Sequence, residues 1–158
     1  MGRFFSLVQI KNNGSREQFL KAFCDVMKKR SLVPCSEKES SVSYILAFSE
    51  SGKWVTLASK EYRDNPKQVK DDAKQTAAEM KTSSFSMDVV DSDWTYIELH
   101  TGADVHDTVM VGRSEFDEEH SPKGRRECWE PILAPGKTWE QISEIWNKNE
   151  VFVEDALL

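Results

Sequence analysis

No stretch of this chain reaches the roughly 20 consecutive apolar residues that a membrane-spanning helix needs, so no membrane partner is expected. The start, Met1 to Ile10, lacks the long apolar core and the small-residue cleavage site of a secretory leader. Gly2 with Ser6 fits the outline of a myristoylation signal, but a strand beginning here accounts for the same residues. Cysteine is scarce. Cys24, Cys35 and Cys128 are odd in number and irregular in spacing, which argues against a disulfide framework and suits a reducing cytoplasm. There is no glycine-rich phosphate loop, no Gly-x-Ser-x-Gly elbow and no recognised zinc spacing. Surplus positive charge is missing as well: 21 Lys and Arg stand against 27 Asp and Glu, a net charge of −6. Affinity for nucleic acid comes largely from neutralising phosphates, so nucleic acid is not an expected partner, whereas a basic protein is.

What is present is an alternation of periods. Arg3 to Lys11 alternates as a strand, and Asn12-Asn13-Gly14 breaks it. Ser15 with Gln18 forms a capping-box pattern ahead of Phe19, Leu20, Phe23, Val26 and Met27, which fall on one helical face. The spacing predicts a helix to about Arg30. Val42 to Phe48 and Trp54 to Ala58 read as a hairpin turning at Gly52. Asn65-Pro66 opens a second helix with the stripe Val69, Ala73, Ala77 and Met80. Phe85 to Val90 and Trp94 to His100 make another hairpin, and Val105 to Val111 can add a strand. Thr138 with Gln141 repeats the capping box before Trp139, Ile142, Ile145 and Trp146.

The expected fold is therefore α+β. It is a two-layer sandwich with a largely antiparallel sheet and two helices on one face, in ferredoxin-like order or an extended variant, plus a C-terminal helix. Residues 1–112 carry this core, 113–137 form a charged exposed excursion, and 138–158 are a helical segment packed on the core. Val151 to Leu158 begins an apolar helical turn and stops, as a truncated chain would. That end is expected to pack on its own sheet, with a symmetric dimer as the other outcome, so the protein is a monomer or a homodimer.

Three groups of residues could carry chemistry. Asp88, Asp91 and Asp93, with His100, Asp104, His106 and Asp107, form the only Asp/His concentration, and such oxygens and imidazoles suit a divalent ion. The plainer reading is a polar turn, since Asp and Ser bond nearby backbone N–H groups. Cys128 follows Arg125 and Arg126, which can lower a thiol pKa. Trp129, between that charged stretch and Pro131, is the candidate interface residue, with Arg125 and Arg126 beside it.

The segments Val89-Val90-Asp91-Ser92-Asp93 and Trp139 to Leu157 resemble uncharacterised proteins of Gram-positive bacteria. The resemblance implies a bacterial origin and transfers no activity. The reading is then a non-enzymatic cytoplasmic binding module for a protein partner or small ligand, in one version of immunity or antitoxin type, with no cofactor. The rival is a metal-dependent hydrolase built on Asp91, Asp93, His100, Asp104 and His106, the metal supplying the nucleophilic hydroxide.

Overall fold

The computed structural model describes residues 5–36, 39, 42–59, 66–90, 94–102, 104–112 and 123–147. Among these the chain is α+β, with six strands and four α-helices. The strands are β1 (Phe5–Lys11), β2 (Tyr44–Phe48), β3 (Trp54–Ser59), β4 (Ser83–Val90), β5 (Trp94–Thr101) and β6 (Asp104–Gly112). The helices are α1 (Arg16–Lys29), α2 (Pro66–Glu79), α3 (Arg126–Trp129), which runs into a 3-10 turn at Glu130–Ile132, and α4 (Trp139–Trp146). The strands form one antiparallel sheet in the order β2-β3-β1-β4-β5-β6. No helix among the described residues is long and apolar enough to cross a membrane. Asn65, Asp91, Asp93, the start of the charged stretch at 113–122 and the C-terminal residues 148–158 lie outside the described residues.

The chain divides into two compact units. One is Leu7–Ser86 with His100–Asp104; the other takes in Met87–Leu99 and the chain from Val105 onward, with Ser6. In the first, β1 pairs with β3 in the register Val8↔Leu57 and Ile10↔Val55, so these four side chains share one face. That face is covered by Phe19, Phe23, Val26 and Met27 of α1 and by Val69, Ala73 and Ala77 of α2, forming one buried cluster. The alanines keep α2 close to what it covers. Both predicted capping boxes are made: Ser15 Oγ accepts from the Gln18 N–H while Gln18 returns a bond to the Ser15 N–H, and Thr138 and Gln141 do the same.

Both long helices end alike, in a way the sequence hides. After α1 the Leu32 N–H bonds to the Met27 carbonyl and the Ser31 N–H to Lys28; after α2 the Thr82 N–H bonds to Ala77 and the Lys81 N–H to Ala78. This is the Schellman pattern, whose left-handed position is usually glycine. Here Ser31 (φ 61°) and Lys81 (φ 51°) occupy it. A left-handed non-glycine residue costs roughly 1–2 kcal/mol, and glycine's extra freedom in the unfolded chain gives back about 0.4–1 kcal/mol of that. Lys81→Gly is expected to raise unfolding stability by about 0.5–1 kcal/mol, read as a higher urea midpoint at unchanged slope.

Candidate functional site

The first unit carries an open cleft of about 640 Å³. The last turns of α1 supply Phe23, Cys24 and Met27, and the chain leaving the left-handed Ser31 supplies Leu32, Val33, Pro34 and Cys35. Val42 to Tyr44 close it on the β2 side, and among the described residues Glu39 is the carboxylate in its lining. The lining is mostly apolar, and Val33 is 74% exposed. This volume is in the range of cavities that take a ligand or a partner's side chains.

Tyr44 is fixed from behind. Its hydroxyl donates to Asp72 Oδ2 of α2 at 2.5 Å, and Arg30 reaches both Asp72 Oδ2 (2.5 Å) and the Tyr44 oxygen (2.8 Å). Gln68 adds a bond to Asp72 Oδ1 at 3.1 Å. The Asp72 side chain is wholly buried. Burial pushes its carboxyl above the ordinary range, against the pull of Tyr44, Arg30 and Gln68. Burial and the neighbouring Asp72 likewise push the Tyr44 phenol up, so it stays a neutral donor.

In the second unit Asp107 gathers the residues proposed as an interface. It accepts from the Arg125 N–H (2.7 Å), from Arg125 Nε (3.2 Å) and from the Trp129 indole (2.7 Å). Burial alone would raise the Asp107 pKa, but these bonds outweigh it and hold the carboxyl below its ordinary value. Trp129 is only 5% exposed and stacks edge-on against Trp146, which meets Trp139 in turn. Of the expected exposed excursion, the described part at 123–137 is mostly exposed, but Lys123 bridges Val109, and Cys128 and Trp129 are buried. The physical reason is Asp107, which satisfies the indole N–H and the arginine and so lets Trp129 turn inward. Gly124 (φ 76°) is needed where this segment crosses, because a Cβ there would sit 2.6 Å from the Val109 side chain. Arg126 remains outside, paired with Glu130 and Glu140. Burial, aided by Asp107 and only partly opposed by Arg125, raises the Cys128 thiol pKa, the reverse of the activation its arginine neighbours suggested.

The metal candidates are only partly described. Asp91 and Asp93 fall outside the described residues, and Asp104 and His106 are exposed on β6. His100 is buried on β5. Among the described residues no three His, Cys, Asp or Glu side chains are placed to hold an ion. Burial, then Lys74 and Lys70, against a weaker opposing pull from Asp71, lower the His100 pKa to about 4. Sequence reasoning missed Asp72, whose partners lie 42 and 28 residues away. It also passed over the cleft, whose only signal was Pro34 and Cys35 in a polar connector. No protein-family model matches the chain, and no curated protein or solved structure matches it significantly.

Two outcomes follow from these side chains. Asp107→Ala strands the Trp129 indole and Arg125, and is expected to cost about 1–3 kcal/mol, with a red-shifted tryptophan emission at unfolding onset. For His100, the unfolded imidazole takes its proton near pH 6.5 and the folded one near 4. Between these values the unfolded chain binds more protons, so stability is lost as pH falls from about 6.5 to about 4. His100→Phe is expected to flatten the urea midpoint over that interval relative to wild type.

Proposed function

We propose that this chain is a non-catalytic binding module that docks a basic protein partner, whose apolar side chain enters the cleft between α1 and β2. The single observation that carries the reading is the cleft itself: open, mostly apolar, and edged by an exposed Val33 and by Glu39. A net charge of −6 favours approach of a positively charged partner. An immunity or antitoxin type of pairing is one concrete form. The frame that carries the cleft is read as a two-layer, ferredoxin-like order extended by β5 and β6, since β1 lies between β3 and β4 and one cluster joins α1 and α2 to β1 and β3. The proposal needs no cofactor. It sits in the cytoplasm of a Gram-positive bacterium, where Cys24, Cys35 and Cys128 stay as free thiols. The hydrolase reading has no described residues that converge on an ion to favour it.

The cysteines supply the test. Cys35 is exposed, Cys24 half-buried and Cys128 buried, so alkylation of the free protein is expected in that order. Candidate partners captured on wild-type protein should be lost with Val33→Glu and at high salt, and should slow alkylation of Cys35. Equal capture by Val33→Glu, or binding that leaves Cys35 as reactive as before, sinks the cleft as the docking site.

A further inference from the structure

We infer that β2 is a dimerisation strand, and that its partner is β2 of a second copy of this chain, paired antiparallel about Leu46. The inference does not rest on the proposed function, but the contact shares Val42, Ser43 and Tyr44 with the cleft lining. β2 stands at one end of the strand order, with β3 on one side and no strand on the other among the described residues. It pairs with β3 without a bulge from Tyr44↔Ser59 to Phe48↔Val55. The Ser49 N–H bonds to the Trp54 carbonyl, which makes that a hydrogen-bonded pair. Bonded pairs alternate along an antiparallel ladder, so Ala47 and Ile45 bond to β3. Leu46 and Phe48 therefore direct their N–H and C=O groups to the outer edge.

Edges of this kind are normally protected by a charge, a proline, a bulge or a covering segment. Val42 to Ser49 contains no residue charged at neutral pH and no proline. The opposite end of the sheet differs: β6 is bridged at Val109 by Lys123. An apolar edge with no strand beside it among the described residues is a template for strand addition, and what identifies the added strand is self-complementarity. Pairing about Leu46 lets the two Leu46 residues exchange their outward hydrogen bonds. Phe48 then faces Tyr44 of the second copy, and Ile45 faces its Ala47. Beyond the strand, Ser49 meets Ser43 and Glu50 meets Val42, so no two like charges are brought together. On one face Tyr44, Leu46 and Phe48 are half-buried against the core cluster, and the second copy's identical row continues it. On the other face Ile45 is 66% exposed and gains cover. A symmetric, isologous contact of this type closes as a dimer and leaves no further edge to extend.

The register makes the test specific. Full-length protein is followed by sedimentation velocity over a concentration series, and a monomer–dimer equilibrium is expected for wild type. Ile45→Lys with Ala47→Lys sets lysine against lysine at both cross-strand pairs, and should raise the dimer dissociation constant by about tenfold or more. Ile45→Lys with Ala47→Glu sets lysine against glutamate in the same register and should keep dimerisation near wild type. Both positions are on the exposed face, and equal urea midpoints for the two double variants would show that neither fails to fold. Wild type that sediments as a monomer throughout overturns the inference. So does a dimer unaffected by the two lysines, or one lost equally in both double variants.

Discussion

One buried carboxylate ties together the elements that frame the cleft. Asp72 belongs to α2, Arg30 to the end of α1, and Tyr44 to the start of β2, and all three meet in one set of hydrogen bonds. A carboxylate taken out of water is tolerated only when its oxygens are fully answered, because removing one partner leaves an uncompensated buried charge. The position of β2 and the exit of the chain at Ser31 are therefore fixed by a polar requirement, not only by apolar contact. Phe23 and Phe19 then complete the arrangement, each meeting β2 edge-on through Tyr44 and Phe48.

Asp107 plays the corresponding part in the second unit. A single side chain takes the indole of Trp129 and both a main-chain and a side-chain nitrogen of Arg125. These bonds fold a segment rich in charge against β6 and permit three tryptophans to share one cluster. The two carboxylates differ in their balance. Burial dominates at Asp72 and raises its pKa, while hydrogen bonds dominate at Asp107 and lower it. The balance between burial and the donors that answer the charge, not either one alone, decides the sign.

The parts of the fold that could be read from sequence are those whose causes are local. Ser15 and Gln18, or Thr138 and Gln141, lie three residues apart, and each capping box was visible because both partners were. The stripes of α1 and α2 and the alternation of β2 and β3 follow from the helical and strand periods. What was hidden depends on distant partners. Asp72 looks like any polar helical residue until Arg30 and Tyr44 arrive from elsewhere. Trp129 looks exposed because its neighbours are charged, yet the residue that satisfies it lies 22 positions back. Asn12 reads as a strand breaker and is in fact buried, its amide bonded to the Gly52 carbonyl and its carbonyl to the Gly14 N–H. The ends of α1 and α2 were obscured for another reason, since Ser31 and Lys81 hold a position where glycine is the usual signal.

The strand order also sets a sequence of events during synthesis. β1 leaves the ribosome before β3, so its pairing of Val8 with Leu57 waits for a strand about fifty residues later. At ordinary elongation rates of about 5–20 residues per second, that is a delay of roughly 2 to 10 s. Over most of that time α1 is already available to cover the apolar face of β1. The ends of α1 are closed by hydrogen bonds that span at most five residues, so it can form without any strand. α1 is thus an early element able to shield Val8 and Ile10 on the nascent chain, acting as an internal chaperone for the strand that precedes it.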